Sequence, residues 1–468
     1  MTLKRFARWL TLGLAAGAAY IGFLAPAQAI PVFARQTGHN CQACHISYPE
    51  LTAYGREFKL NGYTFGEAQP VPLAFALMAE YGKPADNTDH STGGQLCSAV
   101  GASCSPGQFV QWSLFGGGRI SENLGAFVQY SSGAWIVDSN SGGITGAQDN
   151  TEFRYVHRYS TGVSTLEDDS VVGINVNNNM TMQDVWNTVP AWRFPGWFPY
   201  NTISFSPKAA PAIDGIFAHR AVGIGVYSWV RKTWYAELNL YRKPWGPFSW
   251  MVNGVDNGTS TSVTAPSDVM DGYSPYYRFA YSKDWGYNSL EVGVFGLHAK
   301  TYYDALQRDA TQLQTFNDIA VDMQYQYNRN EPWIFSGTVT YERERSNNPS
   351  AMLVAGQSTN PSDTINELNI KGTVYYDRTY GMSLGYNSVG GSSDPGLYGS
   401  GSAGGSLTGD PRSSFYQIEF SYLPLQDMRF LLNYTAYTKL NGGTSNFDGF
   451  NNNAKGQNVL AAAIWWVF

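Results

Sequence analysis

The chain has 468 residues, and beyond its N-terminal segment it lacks any long apolar run. A membrane-spanning helix needs about 20 consecutive apolar residues, and nothing after Ile30 approaches that length. The sequence therefore argues against a helical membrane protein in the part of the chain that follows Ile30.

Charged residues are also scarce, at 14% of the chain, and acidic residues outnumber basic ones by 36 to 30. A nucleic-acid-binding domain normally carries a basic patch or stripe, so we expect no nucleic-acid partner. Aromatic and turn-forming residues are abundant instead, with 31 Tyr, 14 Trp and 50 Gly. This balance is unusual for a soluble domain and ordinary for an outer-membrane barrel, which needs aromatic girdles and many turns.

The N-terminus has the features of a secretory signal. Lys4, Arg5 and Arg8 precede the apolar stretch 10–24, and Ala27-Gln28-Ala29 is a small-residue cleavage site. We predict a signal peptide over residues 1–29 and export from the cytoplasm. The alternative, a membrane-anchoring helix, is disfavoured because the apolar stretch is short.

From residue 71 to 468, short segments alternate between apolar and polar residues. In 234–241, for example, Trp234, Ala236 and Leu238 alternate with Tyr235, Glu237 and Asn239. The pattern predicts an all-β fold of about 16 antiparallel transmembrane strands with lipid on one face and a polar lumen on the other. A soluble β-sandwich also alternates, so loop lengths decide between the two.

Short and long connections alternate along this region. Short ones occur near 122–123, 231–232, 284–287, 328–331, 378–380 and 424–427, and long ones lie between them. Short periplasmic turns and long extracellular loops are typical of outer-membrane barrels. We therefore predict a barrel in the outer-membrane lipid whose first strand begins, and whose last strand ends, on the periplasmic side. The long loops are then extracellular.

Residues 41–45 read Cys41-Gln42-Ala43-Cys44-His45, the C-x-x-C-H pattern of covalent haem attachment. Two thiols three positions apart form thioethers to one haem, and the adjacent His reaches its iron. A disulfide, a thioredoxin-like pair and half of a zinc site are the alternatives. The last two lack the βαβ context and the further ligands that they need. We predict one haem c in a compact, mainly helical segment, 30–70, that plugs the barrel.

The other haem-site residues are less clearly marked. Met78 is the distal-ligand candidate, because its alternation faces the lumen; lumen packing is the alternative. His219 shares that parity, His39 lies too near His45, and Met180 and Met182 have the parity of lipid-facing residues. Three basic residues could pair with haem propionates, or form a solvated basic face: Arg35, Arg56 and Lys59.

A second cysteine pair, Cys97 and Cys104, lies in a Gly- and Ser-rich stretch. In an exported protein this spacing predicts a disulfide that closes a surface loop. A metal or redox pair is the alternative, although no His or carboxylate lies inside the loop.

The segment Phe33-Ala34-Arg35-Gln36-Thr37-Gly38, the haem motif, Pro49-Glu50-Leu51-Thr52, Gly55-Arg56 and 58–63 together resemble the fused monohaem cytochrome–porins of iron-oxidising bacteria. The order of parts is similar too: signal, small cytochrome, barrel. The resemblance implies haem attachment at Cys41 and Cys44, iron ligation by His45, and extracellular Fe(II) as the electron donor.

The leading functional hypothesis is therefore an Fe(II) oxidase that passes single electrons to a periplasmic cytochrome c or copper protein. Loop carboxylates could attract Fe(II), or simply be solvated: Asp256, Asp268 and Asp271. A solute porin with a haem-bearing plug, and a conduit for another donor or acceptor, are the alternatives.

Overall fold

The computed structural model describes residues 32–96, 109–132, 147–162, 169–189, 204–252, 270–303, 308–329, 332–399, 401 and 403–468. The predicted signal peptide, the Cys97 and Cys104 pair, Asp256 and Asp268 lie outside these residues. Within them, none of the helices has the length and apolar character needed to cross a membrane.

Three helices and a two-stranded sheet form the N-terminal segment. Their bounds are α1 Val32–Thr37, α2 Cys41–Cys44, β1 His45–Ser47, β2 Glu50–Leu51 and α3 Ala53–Leu60. The segment is mainly helical, and it lies inside the barrel that follows.

Sixteen antiparallel strands form a closed barrel, which confirms the predicted fold class. They are β3 Leu73–Pro84, β4 Phe109–Arg119, β5 Leu124–Ser132, β6 Ala147–Tyr159, β7 Ser170–Asn177, β8 Val222–Val230, β9 Trp234–Arg242, β10 Ser274–Trp285, β11 Asn288–Tyr302, β12 Leu313–Asn328, β13 Trp333–Asn347, β14 Ser362–Tyr376, β15 Tyr380–Gly391, β16 Ser413–Leu425, β17 Met428–Lys439 and β18 Val459–Val467. Each strand bonds with its sequence neighbours, and β18 bonds with β3 to close the barrel.

The strands bury their polar side chains and expose their apolar ones. In β9, Tyr235, Glu237 and Asn239 are buried inside the barrel, whereas Trp234 and Leu238 are exposed on its outer surface. The alternation predicted for this segment is therefore confirmed. A barrel whose outer face is apolar and whose lumen is polar suits a lipid surrounding.

The connections differ between the two ends of the barrel. At one end, which we call the short-turn end, tight turns follow β4, β8, β10, β12, β14 and β16, and both β3 and β18 have an end there. Exposed Trp and Tyr side chains cluster on the outer surface near this end: Trp234, Trp285, Trp333, Tyr376, Tyr380 and Tyr422. Such aromatic belts mark the boundary between hydrocarbon and head groups.

Longer connections occupy the opposite end, which we call the long-loop end. They contain the remaining helices of the described residues, namely α4 Met180–Gln183, α5 Ser350–Val354, α6 Pro395–Tyr398 and the 3-10 turns Gly246–Met251 and Ala454–Gln457.

In one long connection, between β7 and β8, residues 178–189 and 204–221 fold into the lumen, and we call these residues the inward connection. Its helix α4 is buried, as are Ala212 and Ile213, whose backbone N–H groups donate to Glu344 (2.6 Å) and Asp318 (2.8 Å) on the inner wall. The prediction that Met180 and Met182 face lipid is therefore wrong. The strand alternation that supported it stops at Asn177, where β7 ends.

The N-terminal segment sits at the short-turn end of the lumen and touches the wall on several sides. Arg56 donates to Gln326 on β12 (2.8 Å), and Gln36 Oε1 accepts from the backbone N–H of Arg119 at the end of β4 (2.8 Å). On another side, Arg429 of β17 donates to the carbonyl group of Tyr48 (3.0 Å). The segment is thus held within the barrel as a plug.

Candidate functional site

The cysteine pair lies on the short helix α2. The Asn40 side chain caps this helix by accepting from the Ala43 backbone N–H (3.1 Å). Residues three apart share a face of a helix, so Cys41 and Cys44 project on the same side. The two thiols are not bonded to each other. His45 follows in extended conformation as the first residue of β1.

Helix α3 packs closely against α2 and fixes its position. The Thr52 hydroxyl accepts from the Gly55 N–H (3.1 Å) and donates to the Ala43 carbonyl group (2.5 Å). The Thr52 N–H donates to the carbonyl oxygen of Cys44 (2.9 Å). A Cβ atom at Gly55 would lie 2.2 Å from that same oxygen, so only glycine permits this approach.

A cavity adjoins the two thiols and the His45 ring. Its volume is about 1270 Å³ when the open mouth is included. Aromatic side chains from the plug and the barrel wall form much of its lining, namely Phe33, Tyr48, Phe58, Tyr63, Phe115, Phe127 and Trp465. Flat, mainly apolar walls beside a thiol pair suit a large planar apolar group.

Burial dominates the electrostatics of these groups. It lowers the pKa of His45 to about 4, although the carbonyl groups of Pro49 and Glu50 partly oppose the shift. The imidazole is therefore neutral near pH 7, and neutral imidazole is the form that binds metals. Burial, and then the neighbouring Cys41, raise the pKa of the Cys44 thiol to about 12.

Of the residues predicted to lie around the haem, besides the C-x-x-C-H motif, one lines the cavity and three do not. Lys59 lines the cavity, and burial lowers its pKa to about 8. Arg35 instead donates to the Leu73 carbonyl group, and Arg56 faces Ser289 and Gln326 of the wall. Met78 points into the barrel as predicted and is buried, but it lies outside the cavity lining.

The alternative candidates for the distal haem ligand, and the loop carboxylate predicted to attract Fe(II), lie in different parts of the structure. His219 lies in the inward connection, where its ring pairs with Asp149 at 3.0 Å. His39 lines the cavity but is exposed, and its ring meets the edge of Tyr54 at 5.2 Å between centroids. Asp271 accepts from the Tyr302 hydroxyl at the long-loop end.

Sequence reasoning missed Asp184 and Asn187 and assigned Met182 to the lipid-facing side, whereas all three line the cavity from the inward connection. The signal available was the run Asn177-Asn178-Asn179, because asparagine favours turns and caps rather than strands. Trp465 was missed because β18 reaches the site only through barrel closure.

The fold of the barrel is similar to solved structures of porins and outer-membrane channels. OprB of Pseudomonas putida is 11% identical over 88% of this chain and 96% of its own, with a TM-score of 0.51. OmpF of Salmonella typhi is 10% identical over 85% and 97%, with a TM-score of 0.43. DcaP, an outer-membrane channel of Acinetobacter baumannii, is 9% identical over 87% and 99%, with a TM-score of 0.41.

The chain folds as a porin-like β-barrel. No protein-family model matches the sequence, and no curated protein matches it. The likeness of this porin-like barrel to its structural neighbours therefore concerns the fold alone.

The residues at the cavity fit a haem c by three observations. Two thiols share one face of α2, and the space beside them is wide and lined by rings. The imidazole of His45 lines the same cavity and is neutral near pH 7. Neutral imidazole is the form of histidine that binds a metal ion.

Proposed function

We propose that this porin-like barrel is an outer-membrane c-type cytochrome that transfers single electrons across the outer membrane. The observation that carries the proposal is the meeting of Cys41, Cys44 and His45 at one cavity inside the barrel. Cys41 and Cys44 would hold haem c by thioethers, and His45 would ligate its iron. Haem c bound there would supply one-electron transfer.

The protein's own residues would insulate and orient that group. Phe58, Phe127 and Trp465 would pack against it, because they line the cavity with apolar rings. Lys59, the basic side chain of the plug that lines the cavity, would pair with a propionate. The barrel wall separates the site from lipid.

The site's position favours delivery of the electron at the short-turn end. In outer-membrane barrels the short turns face the periplasm, and the cavity lies at that end beside Ala74 and Val467. A periplasmic cytochrome c or copper protein is the acceptor that we propose. On the other side, Met182, Asp184 and Asn187 of the inward connection line the cavity.

Extracellular Fe(II) is the donor that we propose, which makes the protein an iron oxidase. Each Fe(II) ion gives up one electron and leaves as Fe(III), while the carrier gains that electron, so no covalent bond is made or broken. This arrangement keeps the poorly soluble ferric product outside the cell.

A solute porin with a haem-bearing plug is the second candidate, and the fold itself favours it. The barrel resembles OprB, and its lumen is lined with polar side chains. The two functions differ in what they predict for conductance. A porin conducts ions steadily in a planar bilayer, whereas a conduit with residues 32–66 lodged in its lumen conducts poorly.

The deciding experiment mixes the purified oxidised protein with anaerobic Fe(II) in a stopped-flow spectrometer. We expect the α-band of reduced haem to grow rapidly after mixing. A haem that dithionite reduces and Fe(II) leaves oxidised would discard iron as the donor. If the purified protein carries no haem and conducts ions steadily in a planar bilayer, the cytochrome proposal fails and the solute porin takes its place.

A further inference from the structure

The methionines of the chain differ in their relation to the cavity. Met182 lines it, whereas Met78 and Met180 lie outside its lining. Met180 packs instead in an apolar cluster with Val189, Ile213 and Phe217. Met182 is equally buried, with 3% of its surface exposed, yet among the described residues it belongs to none of the apolar clusters. Among the described residues, Met182 is therefore the methionine that lines the cavity.

Hydrogen bonds hold the start of the inward connection against the wall. The Asn178 side chain donates to the carbonyl groups of Asp149 and Met251, each at 2.6 Å, and accepts from the Thr151 N–H at 2.8 Å. Asn179 caps α4 by accepting from the Thr181 N–H (3.0 Å). The backbone that precedes Met182 is therefore held in place.

The residues after Met182 are fixed as well. The Asp184 carboxylate accepts from the backbone N–H groups of Trp186 (2.8 Å), Thr188 (2.6 Å) and Val189 (2.8 Å). The carbonyl group of Trp186 accepts in turn from Gln324 on the barrel wall. With both of its flanks restrained, the position of Met182 is determined by the barrel.

The plug contacts this same stretch directly. Lys59 Nζ donates to the Met182 carbonyl oxygen, and the Leu51 N–H donates to Asn187 Oδ1 (3.3 Å). The segment that carries the thiols and the segment that carries Met182 thus meet across one cavity.

We propose that Met182 would supply the second protein ligand of the haem iron, in addition to His45. The inference rests on the proposed haem site and goes further, because it assigns this second ligand to a residue on a barrel connection. A thioether is a soft ligand that raises the reduction potential of a haem relative to a second imidazole. A high potential suits an electron acceptor for a weak reductant. His39, the other cavity-lining candidate, lies on the plug and is exposed.

The test compares four purified full-length variants with the unaltered protein. Met182→Leu removes the sulfur at nearly constant volume, and Met182→His replaces it with a second imidazole. Met180→Leu is the matched control on the same helix, and Met78→Leu tests the competing residue. Each sample is examined by haem staining after denaturation, by the long-wavelength absorption band of thioether-ligated ferric haem, and by redox titration.

We expect Met182→Leu to retain the stained band, lose the thioether absorption and shift to a lower potential. Met182→His should restore a low-spin spectrum at a potential below that of the unaltered protein. Met180→Leu and Met78→Leu should keep the original spectrum and potential.

Other outcomes overturn the assignment. An unchanged spectrum in Met182→Leu, or loss of the thioether band in Met78→Leu, places the distal ligand elsewhere, and a bis-imidazole spectrum in the unaltered protein points to His39. Absence of covalent haem in the unaltered protein would remove the proposed function itself. The haem stain therefore separates failure of the ligand from failure of the site.

Discussion

The hydroxyl group of Tyr63 donates a hydrogen bond of 2.6 Å to Glu152 Oε2 on the inner wall of the barrel. Both side chains are buried, and the other carboxylate oxygen of Glu152 lies 2.8 Å from Arg154 Nη2. The contact fastens the end of the plug to strand β6. Because the carboxylate is buried, it depends on these donors for its stability.

Tyr63→Phe should loosen the plug without changing its haem motif. Leaving a buried acceptor without its donor costs about 1–3 kcal/mol, which corresponds to roughly 5- to 150-fold faster exchange through local opening. Amide hydrogen exchange over α3 measures the effect. Tyr54→Phe is the control, because Tyr54 is only partly buried and makes an edge contact to His39. Equal exchange rates in the two variants would show that the Glu152 contact does not restrain the plug.

Cys44→Ser should abolish attachment at that position, because serine cannot form a thioether. Haem staining of a denaturing gel, with the protein loaded at equal amounts, checks the result. The double variant Cys97→Ser with Cys104→Ser is the control and should keep its stained band, since those thiols lie outside the C-x-x-C-H motif. A stained band in the double variant Cys41→Ser with Cys44→Ser, which has no thiol left in the motif, would refute covalent haem at this motif.

Gly55→Ala should push α3 away from α2. The new Cβ atom would meet the Cys44 carbonyl oxygen at 2.2 Å and its Cα atom at 3.1 Å. Overpacking of this kind typically costs about 1–3 kcal/mol, so we expect less covalent haem per protein at equal expression. Gly372→Ala is the matched control, because an added Cβ there has nothing within 4 Å. The same haem content in both variants would mean that the two helices need no close contact.

Asp394 gives a pH-dependent prediction at the long-loop end. Burial raises its pKa, but hydrogen bonds from Ser358, from the Thr359 and Leu397 backbones and from the Thr359 side chain together lower it to about 2. An unperturbed Asp titrates near 3.9, so the folded state favours the ionised form. This stabilisation is complete above about pH 4 and is lost as the pH falls through about 2.

Asp394→Asn should therefore speed amide exchange at Thr359 and Leu397 at pH 6, and should do so less as the pH approaches 2. Asp309→Asn is the control, because that carboxylate is exposed and caps only the adjacent Thr311. Equal exchange in Asp394→Asn and in the unaltered protein at pH 6 would contradict the prediction.

The barrel was predictable because the alternation of apolar and polar residues in each strand shows which face is buried. The faces of β9 follow from the alternation of Trp234 with Tyr235, and the turn after β8 is at the expected position, with Arg231 and Lys232 both at positive φ. These features depend on neighbours in the sequence, so a local pattern is enough to find them.

The inward connection was not predictable by the same means. Its course depends on partners far away in the chain, such as the Glu344 carboxylate that accepts from the Ala212 N–H. Alternation also says nothing once a strand has ended at Asn177. For this reason the thiols and His45 could be named from the sequence, whereas the opposite wall of the cavity could not.

The seam between β18 and β3 has a consequence for the order of assembly. The plug precedes β3 directly, and Trp465 and Val467 of β18 complete the cavity wall. Residues 32–66 are tethered to β3, one of the two strands of this seam, so the plug stays beside the seam whether the barrel is open or closed. Any group fastened to Cys41 and Cys44 is then either in place before the seam closes or admitted through the cavity mouth.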